Sequence, residues 1–198
     1  MRPLAFTLPY VVVFIAVFLW SFVLEETIVL RAAKATASGN APADRGSLYV
    51  VMVTQGLGFM AAFILAWIAP VWARFPNERF AFWSGLALMI AGATLRRMCF
   101  HALGESFTGE VRVRADQRVV TTGPYRWIRH PGYSAGILMS IGVAVTLGTW
   151  LGAVVGAACT VLGYAYRVSV EERALVATLG DSYRDYARKT KRFIPFVI

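Results

Sequence analysis

Charge is scarce in this chain. Only 16% of its 198 residues are Asp, Glu, Lys or Arg, where a soluble domain averages about 25%. Such a surface is too poor in charge to keep a protein of this length in water. Cysteine is scarcer still. Cys99 and Cys159 lie 60 positions apart in apolar company, which excludes a secreted disulfide scaffold and reads as two buried small hydrophobes. Two histidines and no C-x-x-C pair leave no ligand set for a structural metal. Acidic residues are few, 11 against 20 Lys and Arg, giving a net charge of +9. In a soluble protein that balance would suggest nucleic acid. Here the basic residues fall between apolar runs, so lipid headgroups and membrane orientation account for it, and no nucleic-acid partner is expected.

What is abundant is hydrophobicity. It makes up 58% of the chain, with a mean hydropathy of +0.58. A span needs about 20 apolar residues. Five runs approach that length: Leu4 to Leu24, Leu48 to Trp72, Phe80 to Leu95, Tyr133 to Leu147 and Leu151 to Tyr166. The first is longer than the apolar core of a cleaved signal peptide and reads as a span. Glu25 and Glu26 are expected to end it, and the small, polar stretch to Ser47 to form a loop. Arg96 and Arg97 can extend the third run by snorkelling. Only Gly148-Thr149-Trp150 joins the last two runs, which makes them an antiparallel helical hairpin. The expected fold is therefore an all-α integral membrane protein of about five transmembrane helices. A C-terminal helical hairpin and a polar cytoplasmic region complete it. One domain covers 1–198, with N-terminal spans in 1–104 and the binding half in 105–198.

Two glycine patterns have a packing explanation. Gly56-Leu57-Gly58-Phe59-Met60-Ala61 fits G-x-G-x-x-A, but no strand precedes it, so it reads as close helix contact in lipid. Gly148, Gly152 and Gly156 repeat at intervals of four, as do Gly132 and Gly136, with the same reading.

Five spans with the N-terminus outside put 17 of the 20 basic residues on the cytoplasmic face. The two longest polar stretches, 105–132 and 167 onward, then share that face. Residues 111–120, where valine partly alternates with charge, suit a short extended segment. From Glu171 to Thr190 the pattern is an amphipathic helix interrupted at Gly180. Arg167 and Glu171 lie four apart, on one helix face. They are either snorkelling anchors or a site that holds one anion and one cation. His130-Pro131 places a histidine at a helix start.

Gly123-Pro124-Tyr125-Arg126-Trp127-Ile128-Arg129-His130-Pro131-Gly132-Tyr133 resembles the G-x-Y-x-x-x-R-H-P-x-Y segment of the isoprenylcysteine carboxyl methyltransferase family. Two spans follow it, then Arg167-x-x-x-Glu171-Glu172, Leu179-Gly180-Asp181-x-Tyr183-x-x-Tyr186 and Arg192-x-x-Pro195, in the family's order. The resemblance covers roughly 105–198, and the few N-terminal spans are as in short prokaryotic-type members. It implies an integral-membrane methyltransferase using S-adenosyl-L-methionine and releasing S-adenosyl-L-homocysteine. It makes the polar cytoplasmic region the cofactor-binding region and carries cofactor contacts to Glu110, Gln117, Arg118, Val119, Val120, Tyr125, His130, Pro131, Tyr133 and Glu171. It carries substrate-carboxylate binding to Arg167, with Arg167 and Glu171 as the catalytic pair. Gln117-Arg118-Val119-Val120 stands where eukaryotic members often have His-x-Leu-Val. The expected substrate is a lipophilic S-isoprenylcysteine-type carboxylate. The alternatives are a phospholipid amine, a small thiol, or a non-catalytic membrane protein that retains the fold.

Overall fold

The computed structural model describes residues 3–36, 44–104, 107, 111 and 118–193, with side chains from 26 and 32–36 left aside. Within them the chain is helical. A 3-10 turn at Leu4–Phe6 leads into α1 (Tyr10–Phe18), a π-helical stretch Leu19–Val23, and α2 (Leu24–Thr36). Then come α3 (Ser47–Ile68), α4 (Glu78–Leu103), α5 (Pro131–Thr146), α6 (Trp150–Leu179) and α7 (Asp181–Lys189). No strand forms among the described residues; the extended pairing amounts to isolated bridges Arg74–Thr149 and Ile128–Lys191. Of the expected extended segment, 112–117 lies outside the described residues.

Among the described residues four helices are long and apolar enough to cross a membrane: Tyr10–Arg31, Ser47–Ile68, Glu78–Leu103 and Trp150–Leu179. The fifth expected span, α5, has only 16 residues, about 24 Å at 1.5 Å per residue. One expected boundary is corrected. Glu25 does not end the first span, because helix continues to Thr36. Its carboxylate is buried against Arg96, 3.3 Å away on α4, with Arg97 at 4.0 Å, so the charge is compensated inside the bundle rather than by water. Arg97 also lies 3.8 Å from the Trp20 ring centre. The third helix runs on through Arg96 and Arg97, which were expected to extend it, and continues to Leu103.

The expected hairpin forms through Leu147, Gly148 and Thr149, with the Thr149 side chain accepting from the Gly152 amide at the start of α6. Packing within it is uneven. α5 lies mainly on α4, and the principal partner of α6 is α3. Small residues allow both contacts. A Cβ on Gly85 would sit 2.7 Å from the Gly142 carbonyl oxygen, and one on Gly142 would sit 2.7 Å from that of Gly85. A Cβ on Gly58 would come within 3.2 Å of the Gly156 carbonyl, so the G-x-G-x-x-A stretch is a helix contact, as its position suggested. Phe82, Met89, Met139 and Val143 fill the core between these helices.

α5 and α6 share their turn at one end, but α6 has 30 residues, about 45 Å. Some 20 Å of α6 therefore stands beyond the first residue of α5. That step is where the polar residues gather.

Candidate active site

Pro131 begins α5 at a position where a missing N–H costs nothing. The preceding residues cannot continue the helix and fold over the step as a 3-10 turn, Gly123–Arg126. The chain after α7 returns beside them: the Arg129 and His130 amides donate to the Lys191 and Arg192 carbonyls at 2.8 and 3.0 Å. Glu172 fastens the return. It accepts from Arg129 Nε at 2.6 Å and Arg192 Nη2 at 2.8 Å, and its Oε1 lies 3.1 Å from His130 Nε2. Arg129 also donates to the Thr190 carbonyl at 2.6 Å, a bidentate use that suits a planar guanidinium. Gly180, at φ +57, lets α7 turn back from α6. Tyr186 of α7 donates to the Tyr125 carbonyl at 2.7 Å. Burial pushes the Tyr186 phenol up to about 12, against lowering by its Thr190 bond and the Arg129 charge, so this donor keeps its proton through the neutral range.

Under this cover lies one cavity, and most of the expected site residues line it. Arg118, Val119, Val120, Tyr125, His130, Tyr133, Arg167 and Glu171 are all on its wall. Pro131 is buried but off the wall, as the first residue of α5. Glu110 and Gln117 lie outside the described residues. The deeper wall is apolar, with Val29, Val51 and Met52, and Leu175 and Leu179 of α6 also face the space.

Arg167 and Glu171 share a face of α6, yet the phenol of Tyr133 joins them. Tyr133 donates to Glu171 Oε2 at 2.7 Å and accepts from Arg167 Nε at 2.9 Å. The Tyr133 ring is stacked between His130, centroids 5.6 Å apart, and Tyr164, 4.9 Å apart. Tyr164 fits because residue 136 is glycine; a Cβ there would overlap the Tyr164 hydroxyl. His130 Nδ1 is 3.7 Å from Glu171 Oε2. Glu171 keeps 30% of its side chain accessible, while Arg167 keeps 8%. On either side of one phenol oxygen the wall thus offers a reachable carboxylate beside aromatic rings and a buried guanidinium. Tyr133, Arg167 and Glu171 form one hydrogen-bonded network on the cavity wall.

Sequence reasoning missed several neighbours. Asp44, in the small-residue link before α3, bonds Arg167 at 3.0 Å. It stands three residues ahead of Ser47, the first residue of α3, while the cap position itself is Gly46, so no local pattern marked it. Arg96 lines the cavity too, and is paired with Glu25, which stands off the wall; an ionisable pair inside spans was the available signal. Gln55 of α3 lines the wall and donates to Ser140 at 3.2 Å. Among the described residues no three His, Cys, Asp or Glu side chains group as a metal site.

Comparison with known proteins follows the same residues. The model of the isoprenylcysteine carboxyl methyltransferase family matches residues 85–177. Protein-S-isoprenylcysteine O-methyltransferase B of Arabidopsis thaliana is 32% identical over 139 residues, covering 68% of this chain and 70% of that protein. The rat enzyme of the same name is 27% identical over 158 residues, covering 76% of this chain. The chain spans 56% of the rat protein and 63% of a probable rice relative. A solved structure of the eukaryotic intramembrane Ras methyltransferase ICMT shares the fold. Its TM-score is 0.58 and identity 24%, over 93% of this chain and 68% of that one. Motif, helix order and whole-length likeness agree, and this multi-pass membrane protein belongs to the isoprenylcysteine carboxyl methyltransferase family.

Proposed function

We propose that the chain transfers a methyl group from S-adenosyl-L-methionine to the carboxylate of a lipophilic S-isoprenylcysteine-type substrate, at the cytoplasmic face of its membrane. One observation carries the reading: a single cavity holds Glu171 and Arg167 at 2.7 and 2.9 Å from the same phenol oxygen. The donor of such a reaction is a cation and the acceptor an anion, and this wall presents the opposite charge to each.

The residues present fit the cofactor. A sulfonium is stabilised beside a carboxylate and aromatic faces, and Glu171, Tyr125 and Tyr133 supply these. Val119, Val120, Leu175 and Leu179 offer apolar surface for an adenosine. When bound, S-adenosyl-L-methionine supplies a methyl group on cationic sulfur. Arg167 supplies the positive charge that orients the acceptor carboxylate. Tyr133 fixes the distance between Arg167 and Glu171. A carboxylate is already a nucleophile at neutral pH, so no side chain needs to take a proton, and the rate comes from orientation and exclusion of water. The apolar lower wall, Val29, Val51 and Met52, suits a prenyl tail rather than a small water-soluble acceptor. The cytoplasmic placement is supported by the distribution of Lys and Arg.

The test uses purified protein in lipid nanodiscs with radiolabelled cofactor. Base-labile label on an S-farnesylcysteine analogue is the expected result. Label on a phospholipid amine or small thiol instead, with none on the carboxylate, overturns the acceptor assignment. No binding of S-adenosylhomocysteine by calorimetry overturns the enzyme reading altogether.

A further inference from the structure

Asp44 is a buried carboxylate that the methyl-transfer scheme leaves unused. It precedes α3, outside the stretch matched by the family model, and it is 6% exposed. Four donors converge on it. Oδ1 accepts from Arg167 Nη1 at 3.0 Å, Ser47 Oγ at 2.8 Å and the Val111 amide at 3.2 Å. Oδ2 accepts from the Leu48 amide at 3.1 Å, one of the first-turn amides of α3 that lack a helical partner. The three elements it ties together each contribute to the cavity wall: Leu48 from α3, Arg167 from α6, and Val111.

Arg167 is therefore gripped at two points. Nε donates to Tyr133, and Nη1 to Asp44 and to Ser47 Oγ at 3.2 Å. A guanidinium on a long stem has considerable rotamer freedom, and a buried cation needs a compensating anion. Asp44 supplies both restraint and charge. It is too heavily bonded to give way to an arriving carboxylate: leaving would strand Val111 and Leu48 amides as well as the guanidinium.

We infer that Asp44 is a positioning residue for the methyl acceptor, holding Arg167 by Nη1 so that the guanidinium meets the substrate carboxylate in one fixed orientation. The inference rests on the reading above that Arg167 receives that carboxylate. Asp44 itself touches neither substrate nor cofactor in this scheme. It acts through Arg167.

The experiment compares binding of a farnesylated N-acetylcysteine with binding of its neutral primary amide. Both are measured by calorimetry on the full chain in nanodiscs with S-adenosylhomocysteine present. A wild type that does not prefer the carboxylate overturns the role of Arg167 itself, before any variant is made. Given that preference, Asp44→Ala is expected to lose about tenfold of it, the equivalent of one charge-assisted hydrogen bond. Affinity for S-adenosylhomocysteine stays within about twofold of wild type. An unchanged preference overturns the inference. So does an increased one, which would make Asp44 a competitor for the guanidinium. A parallel loss of S-adenosylhomocysteine affinity overturns it too, since that is general damage. Where the alanine variant does not fold, Ser47→Ala removes one of the four donors and is expected to lower the preference about threefold; no change there overturns the inference equally.

Discussion

Arg167 and Glu171, one helical turn apart on α6, meet through a third group rather than directly. The Tyr133 hydroxyl accepts from the first and donates to the second, at 2.9 and 2.7 Å. An i, i+4 ion pair at a membrane surface would collapse onto itself and leave neither charge for a ligand. The interposed phenol keeps the two charges apart while satisfying both.

Removing that oxygen is the direct check. Tyr133→Phe keeps the ring stacked on Tyr164 and leaves α5 intact. It is expected to lower kcat/KM about 10- to 100-fold, the range for a hydrogen bond to a charged group, measured by label transfer to the farnesylcysteine analogue. Activity within twofold of wild type would mean that the charges need no spacer.

Glu171→Gln separates charge from shape. In the proposed function the carboxylate would face a cation in S-adenosylmethionine but a neutral thioether in S-adenosylhomocysteine. Calorimetry should show the methionine form losing at least about fivefold more affinity than the homocysteine form. Equal losses would place Glu171 against some other part of the ligand.

Gly136 and Tyr164 predict a rescue. Gly136→Ala places a methyl group on the Tyr164 hydroxyl, an overpacking that costs about 1–3 kcal/mol. Thermal unfolding in detergent should move down by several degrees. Adding Tyr164→Phe removes the overlapping oxygen but leaves two ring carbons at 2.8 and 2.9 Å from the new methyl group, so it should restore part of the loss. A double variant no better than the single one would locate the strain elsewhere.

pH should act at the edges of the range. Burial alone would raise the Asp44 carboxyl, but the bonds from Leu48, Ser47 and Val111, with the Arg167 charge, outweigh it and hold the group below its usual 3.8. A depressed carboxyl stabilises the fold above its unfolded pKa and loses that contribution as pH falls through the lower folded value. Stability owed to Asp44 is thus constant above about pH 4 and disappears only in stronger acid. Tyr186 is the opposite case. Raised to about 12, it contributes fully below its unfolded value near 10 and loses that as pH climbs through 12. Between these limits a carboxylate acceptor needs no deprotonation, so kcat should stay level from about pH 6 to 9. A rate that climbs steadily with pH across that interval would favour an amine or thiol acceptor.

Much of the site was legible because its residues sit in one stretch of chain and at one helical spacing. Tyr125, His130, Tyr133, Arg167 and Glu171 were all named from the sequence, and all face the same cavity. What could not be read was contributed by contacts between distant segments. Glu25 looked like a span end because two acids after an apolar run usually meet water. Its partner Arg96 lies 71 positions away, and pairing across helices has no local pattern. Asp44 was hidden for the same reason, 123 positions from Arg167. The uneven packing of the hairpin, with α5 on α4 and α6 on α3, depends on which small residues face each other, and a four-residue glycine repeat does not specify a partner.

The short fifth helix bears on where chemistry can occur. Because α5 begins some 20 Å before the far end of α6, the bundle has a ledge, and Tyr133, Arg167 and Glu171 sit beside the cavity there. A lipid-borne acceptor can then present its polar end without lifting its tail from the bilayer. Bilayer thickness becomes a kinetic variable: a thicker membrane submerges the ledge, a thinner one strands it in water, and turnover should be greatest where the two levels coincide.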